Sequence, residues 1–511
     1  MKKTAFVIII IVYLVYSVFA TGPVFAEKID FFAPGFEGGI SNEKEYMELL
    51  FITGEPIMLK GSYTISPGRL KDNILTTNYT YKLQNPEQDA ELDRRITIET
   101  AFKEEKGKGQ IIATSRITGA RENIRVGNYR YKLEDYQFSQ STIADNNPAI
   151  SYYAGSWDAR KTYSLNRDRG TIIIHAIGEL VGQNHTWGGA ETQTIKYFVE
   201  FDGQVEVADR QWEEAEWTAS SEVNISVNRT KELTYVPNEP AWISFRGGYL
   251  QTNQTESILQ YEYNVPKFSS SGLPLTRRKT GGGTEKLLTV PVNERLPIPE
   301  IKDIEGHWAQ GDIERLASLK VLEPEGSFFG PRLNITRGEF ARAIAIATAM
   351  TEDEEAQEVT STLPWIRNQE QTQEEQPLFK DVPPEHRDFK YIQLVGKKGV
   401  MAGVEPARFG PDGNLTRAQA LTIIIRALGL EGLAPNPPFN TNFTDDADIP
   451  GWAKPSVYVA SEIGLVNGDS LGRVLPNQVM TRAEAAAFLN RFITFLQYDI
   501  KREYIDRILN Y

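Results

Sequence analysis

Cysteine is absent from this chain, which removes disulfide frameworks, thiolate-ligated zinc or iron–sulfur centres and thiol nucleophiles together. Histidine is nearly as scarce. His175, His185, His307 and His386 are the only four in 511 residues, too few for histidine-rich metal chemistry. After the N-terminus no apolar run is long enough to cross a bilayer as a helix. There is no Gly-x-Ser-x-Gly elbow and no phosphate-cradling glycine loop. Positive charge is in deficit: 55 Lys and Arg stand against 68 Asp and Glu, a net charge of −13, which argues against bulk binding of nucleic acid. What remains is an ordinary globular composition, 41% hydrophobic and 24% charged, on a chain long enough for roughly two to four domains.

The chain starts with Lys2 and Lys3, an apolar stretch from Ala5 to Ala20, a helix-breaking Gly22-Pro23 and the small-residue site Val24-Phe25-Ala26. That is the plan of a signal peptide over residues 1–26. It predicts export, cleavage before Glu27, and no membrane insertion of the mature chain. A secreted chain without cysteine suits a bacterial envelope better than an oxidising eukaryotic route.

From 27 to 266 apolar and aromatic residues alternate with polar ones in short runs, as in Asn73 to Leu83, broken by Gly, Asn and Pro. Ile57–Ile65, Ile96–Lys103, Gln110–Ile117, Thr171–Leu180, Thr194–Phe201, Ala241–Phe245 and Ser257–Tyr263 read the same way, with Lys106 to Gly109 as a hairpin loop. This predicts an all-β region, sandwich or barrel-like, possibly two units in series. Residues 267–300 contain Ser269-Ser270-Ser271 and Gly281-Gly282-Gly283, a composition that predicts a flexible linker open to proteases.

Beyond Ile301 the period becomes helical and the sequence repeats three times, over 301–350, 378–432 and 441–496. In each unit a proline precedes an arginine by six residues: Pro331 and Arg337, Pro411 and Arg417, Pro476 and Arg482. Each unit opens on an aspartate, Asp303, Asp381 or Asp445. The tetrads Thr336 to Glu339, Thr416 to Gln419 and Thr481 to Glu484 are capping boxes that start a helix. Each repeat is therefore a helix, a Gly/Pro turn and a second capped helix, and the three together make an all-α C-terminal bundle. Between the first two lies an acidic insert, 351–377, with eight acids and Arg367 as its single base. Residues 497–511 extend the last helix.

An arginine at the first helical position opposes the helix dipole, yet it recurs three times. With the free N–H groups of a helix start, it would form a pocket for a carboxylate or other anion. The alternative is that each arginine pairs with an opening aspartate and only staples the bundle.

These units resemble S-layer homology repeats. The likeness rests on the opening Phe/Ile-x-Asp, the aromatic of the first helix region, the Phe-x-Pro turn and the Thr-Arg-Ala-Glu tetrad. It implies a three-part helical assembly whose grooves bind a secondary cell-wall polysaccharide, often pyruvylated, without catalysis or cofactor. By position, the resemblance assigns Arg337, Arg417, Arg482, Asp303, Asp381, Asp445, Trp308 and Trp452 to those grooves. It places the protein at the cell wall or in an S-layer, with self-assembly at the surface as an accompanying expectation. Repeat 2 departs from the pattern by offering Phe389 near the tryptophan slot, and repeat 1 by carrying Gly338 where alanine is usual.

Catalytic signals are sparse. His175, Glu179 and His185 form no evident metal set, and Asp445, Asp446 and Asp448 suit either calcium or backbone N–H groups. No spacing marks two carboxylates as a glycosidase pair. The leading expectation is a non-enzymatic wall-anchored surface protein. Its rivals are a wall-anchored carbohydrate-active or carbohydrate-binding β region, and an outer-membrane tether.

Overall fold

A computed structural model describes residues 38–105, 109–208, 211–237, 247–350 and 376–500. The signal peptide expected at 1–26, the loop expected at Lys106, the strand expected at Ala241–Phe245, most of the acidic insert and the chain beyond Ile500 lie outside the described residues.

The N-terminal region is one antiparallel sheet. Its strands are β1 (Ile40–Ser41), β2 (Tyr46–Leu50), β3 (Ile57–Pro67), β4 (Ile74–Asn85), β5 (Ala90–Glu105), β6 (Gln110–Val126) and β7 (Tyr129–Asn146). They continue with β8 (Ser151–Leu165), β9 (Gly170–His185), β10 (Gly188–Ala208), β11 (Gln211–Val236), β12 (Gly248–Phe268), β13 (Pro274–Leu288) and β14 (Val292–Pro297). Each strand from β1 to β13 pairs with its neighbours in sequence, and β14 pairs with β12 beyond the end of β13. The meander curls until its ends meet. Asn42 Nδ2 donates to the Leu288 carbonyl at 3.2 Å, and Val290 N–H donates to Glu43 at 3.1 Å. The result is a nearly closed, barrel-like sheet rather than a sandwich or two units in series. Its strands are long, up to 26 residues in β11, because tight turns such as that at Gly127, φ +56°, let the alternation run on.

Alternation decides which side faces in. In β5, Leu92, Arg94, Ile96 and Ile98 point into the core while Glu91, Asp93 and Arg95 face water. Apolar inside and charged outside is the reverse of a membrane-spanning barrel, which weighs against the outer-membrane tether. Interior aromatics lie across strand glycines: a Cβ at Gly178 would fall 2.1 Å from the Trp157 ring, and one at Gly182 2.4 Å from Tyr153.

The same device overturns the linker expectation. Residues 267–300 contain β13 and β14, and Gly281 and Gly283 sit under Tyr263 and Tyr261, where a Cβ would come within 2.5 and 2.7 Å of the phenol oxygens. The glycines permit close approach here rather than supplying slack.

Among the described residues the C-terminal region has six α-helices: α1 (Gln310–Ser318), α2 (Arg337–Ala347), α3 (Phe389–Lys397), α4 (Arg417–Leu428), α5 (Lys454–Glu462) and α6 (Arg482–Thr494). It is not purely a helix bundle. The residues just before α2, α4 and α6 form a closed triangle of backbone bonds: Ile335 N–H donates to Met480 at 3.0 Å, Met480 to Leu415 at 2.9 Å and Leu415 to Ile335 at 3.3 Å. The all-α expectation missed this extended centre because three isolated bridges leave no periodic signal in sequence. The final helix runs on into a π-turn, Phe495–Asp499.

The two regions share a core. Ala149, Ile150, Tyr152 and Trp187 of the sheet pack with the apolar residues of the helices. Trp187 Nε1 donates to the Ala347 carbonyl at 2.7 Å and Ala149 N–H to Ala427 at 2.8 Å, so two sheet loops cap the C-terminal ends of α2 and α4.

Two outcomes are expected. In limited proteolysis trypsin makes no early cut after Arg277, Arg278, Lys279 or Arg295; early cleavage there would restore the linker. Beside Trp187, His185 is buried, and burial, reinforced by the charges of Arg229 and Lys231, pushes its pKa down to about 3. Unfolded, it titrates near about 6.5. The unfolded chain therefore binds the proton more readily, so the stability from neutral His185 is complete above that value and drains as pH falls toward about 3. The unfolding free energy from urea titration should fall between neutral pH and pH ~4 by up to about 1.4 kcal/mol per pH unit, and fall less in His185→Asn.

Candidate functional site

The three capping boxes form as expected. Thr336, Thr416 and Thr481 accept from the third helical N–H, and Glu339, Gln419 and Glu484 reach back to the threonine N–H. The N–H groups that would have received an anion are taken. Arg337 N–H donates to Gly413 and Gly338 N–H to Pro411; Arg417 and Ala418 use Gln478 and Pro476; Arg482 and Ala483 use Leu333 and Pro331. Each helix start is plugged by the turn of the neighbouring repeat.

The aspartates hold those turns. Asp303 accepts from Phe329 and Gly330 N–H at 2.8 and 2.7 Å, Asp381 from Phe409 and Gly410 at 2.8 and 2.7 Å, and Asp445 from Val474 and Leu475 at 2.9 and 2.8 Å. For Asp303 and Asp381, burial opposes ionisation, but the accepted N–H bonds outweigh it and keep both below the ordinary carboxylate range. Asp446 is committed to Lys454 and Thr441.

The carbonyl of each pinned turn then receives the arginine of another repeat. Arg482 Nε donates to Phe329 O at 2.8 Å, Arg337 Nε to Phe409 O at 3.1 Å and Arg417 Nε to Val474 O at 2.9 Å. The arginines are otherwise unequal. Arg482 lies 4.7 Å from the Phe329 ring centre, bonds Glu323 O and pairs with Glu339. Arg337 lies 4.9 Å from the Phe409 ring and bonds Ala402 O. Arg417 meets Val474 instead of a ring, and among the described residues its terminal nitrogens make no hydrogen bond.

A groove of about 990 Å³ opens between repeats 3 and 1, lined by Asp303, His307, Trp308, Arg332, Leu333 and Glu484 among others. Arg482 lies beneath its wall, and the cation that reaches the groove is Arg332. Sequence reasoning missed it, although its place directly after the turn proline was a usable signal. Trp308 is 67% exposed and Trp452 54% exposed, each two residues before its first helix.

The corresponding residue of repeat 2 is Arg387, not Phe389, which is the first residue of α3. Arg387 makes ion pairs with Glu325 at 3.0 Å, Asp388 at 3.4 Å and Glu339 at 3.5 Å. Buried Asp388, where the other repeats have Ala309 and Ala453, also meets Arg342 at 3.4 Å. Gly338 makes room for it: a Cβ there would stand 3.1 Å from the Asp388 carboxylate. The unusual glycine and the unusual aspartate are one exchange of volume.

In the sheet, Glu48 and Glu122 flank Arg94. Arg94 donates to both Glu48 oxygens at 2.7 Å and to Glu122 at 2.7 Å, and Lys161 and Tyr163 donate to Glu122 at 3.2 and 3.0 Å. Arg94 and Glu122 are each 1% exposed. Burial alone would raise the Glu122 pKa, but the charges of Arg94 and Lys161 and the bonds from Arg94 and Tyr163 outweigh it and hold it below the ordinary range. A carboxylate so placed stays ionised and cannot serve as the proton donor of a glycosidase pair. His175 pairs with Asp158 on the outer face, far along β9 from His185, and no group of three or more acids and histidines among the described residues is arranged to hold a metal.

Residues 300–341, 378–421 and 442–486 match the family described as S-layer homology domain. The chain is 30% identical over 186 residues to S-layer protein EA1 of Bacillus anthracis, covering 36% of this chain and 19% of that protein. It is 28% identical over 187 residues to an S-layer protein of Bacillus licheniformis, covering 36% and 18%, and 32% identical over 133 residues to an endoglucanase of Bacillus sp. (strain KSM-635), covering 25% and 13%. The chain thus spans less than a fifth of the length of each.

Replacing Gly338 with alanine, ordinarily stabilising in a helix by up to about 1 kcal/mol, should here destabilise the fold by about that amount. The double change Gly338→Ala with Asp388→Ala should recover it. Additive losses in a denaturation cycle would uncouple the two positions.

Proposed function

Three segments of this chain are S-layer homology domains, and from that premise we propose that the helical region holds the protein, without catalysis, by binding secondary cell-wall polysaccharide in two of its three grooves. The protein is a secreted, cell-wall-associated surface protein, and its β-rich region is the part displayed. The working grooves are those of Trp308, between repeats 3 and 1, and Trp452, between repeats 2 and 3. The third is closed by Arg387.

The observation that carries this reading is the pair of exposed indoles, set where repeat 2 has an ion-paired arginine. A large apolar ring left in water at a groove mouth suits stacking against a sugar face. Arg417, with uncommitted donors, suits an acidic substituent such as a pyruvate ketal beside Trp452, and Arg332 suits one beside Trp308. Asp303, Asp381, Asp445, Arg337 and Arg482 act by holding the groove walls in place. Self-assembly at the surface accords with the S-layer relatives.

A second reading, a carbohydrate-active β region, draws on the endoglucanase relative. The enclosure of Glu48 and Glu122 around Arg94, with Glu122 held ionised, weighs against that pair as its catalytic residues.

The test is retention of the full mature chain on purified wall sacculi. Trp308→Ala with Trp452→Ala should lower retention at least about tenfold, the loss of roughly 1.4 kcal/mol or more, while Arg387→Ala leaves it unchanged. Retention that survives chemical removal of the wall polysaccharide would sink the proposal.

A further inference from the structure

The outer face of the sheet carries a feature that wall anchoring does not use. An open trough of about 1,680 Å³ crosses β3 to β8. Ser62, Lys82, Asp93, Asn123, Lys132 and Ser164 stand in direct register, one per strand, a row that spans about 24 Å at ~4.8 Å per strand. On either side of this row lies a pair of arginines facing each other across neighbouring strands: Arg95 opposite Arg121, and Arg125 opposite Arg130.

Like charges in direct register destabilise a sheet, and two such pairs on one face break a local rule. Arg125 is compensated by Asp89 and Glu91, and Lys132 by Glu134. Lys82, Arg95, Arg121, Arg130 and Arg167 are in no ion pair among the described residues. The lining counts six bases, Lys82, Arg121, Arg125, Arg130, Lys132 and Arg167, against the acids Glu91, Asp93 and Glu134. An excess of positive charge is thus gathered in one concavity of a chain whose net charge is −13.

We propose that this trough binds a carboxylate-bearing polysaccharide strand laid across β3 to β8, as a second glycan site separate from the grooves. Guanidinium groups take carboxylates in bidentate fashion. The interspersed Glu91, Asp93, Asn123, Ser62 and Ser164 offer acceptors to hydroxyl groups, and a sugar acid carries both. The mixture disfavours nucleic acid. The lining's one aromatic, Tyr131, is buried, which leaves no platform for stacked bases.

The test uses the full chain and its Arg121→Glu/Arg130→Glu variant, with polygalacturonate as probe at low salt. The parent should bind, with affinity falling as salt rises, and the variant should bind roughly tenfold more weakly or worse. Because each reversal turns an Arg–Arg pair into an ion pair, the variant should melt no lower than the parent, a result that a general loss of structure would not give. Should it fail to fold, Arg121→Gln/Arg130→Gln makes the same comparison. Equal binding by parent and variant, no binding by the parent at low salt, or tighter binding of oligothymidine than of polygalacturonate would each overturn the proposal. Sacculus retention is read separately, so its failure with polygalacturonate binding intact would count against the grooves and not the trough.

Discussion

The helical region hangs on a relay that passes from carboxylate to backbone to guanidinium. An aspartate fixes two turn amides, the turn's carbonyl takes the arginine of another repeat, and that repeat's helix start gives its first two N–H groups to the same turn. Repeated three times around the Ile335–Leu415–Met480 triangle, the relay closes on itself. No repeat can complete its own helix start, so each depends on a neighbour to satisfy buried donors that would otherwise cost about 1–3 kcal/mol apiece. The three are therefore one cooperative body and not beads on a string.

That closure frees the groove mouths to diverge. Because the relay lies beneath them, the residue two places before each first helix can change without disturbing the assembly, and it has: Trp308, Arg387, Trp452. Repeat 2 spends its position on an ion-pair cluster with Asp388, Arg342, Glu325 and Glu339, which needed the small Gly338 opposite. Repeats that share a few fixed positions thus give a scaffold with threefold order and surfaces without it.

The repeats were legible in sequence because their signals are local. Capping boxes, turn prolines and opening aspartates recur at fixed spacing, and all three boxes form. The arginines were read as pocket residues because a helix start in isolation has free N–H groups. Only the fold shows that a neighbouring turn fills them, a contact between residues about 60 to 150 apart. The β region was legible as strands but not as one sheet, since nothing in alternating runs tells whether a meander continues. Residues 267–300 misled for a different reason. Glycine and serine signal slack when nothing packs on them, and Tyr261 and Tyr263, the rings that do, lie on the preceding strand.

The contact between sheet and helices bears on how the molecule carries load. The grooves lie at the N-terminal ends of α2, α4 and α6, while Trp187 and Ala149 seize the opposite ends of α2 and α4. An eleven-residue helix such as α2 separates the two poles by about 16 Å. Gln497, just past α6, also donates to the Lys231 carbonyl of β11 at 2.6 Å, so shear on the sheet would run along helix axes as tension and compression, with no slack tether to absorb it, toward all three groove mouths. On the proposed function, load on the displayed sheet is thus felt where the polymer would be held.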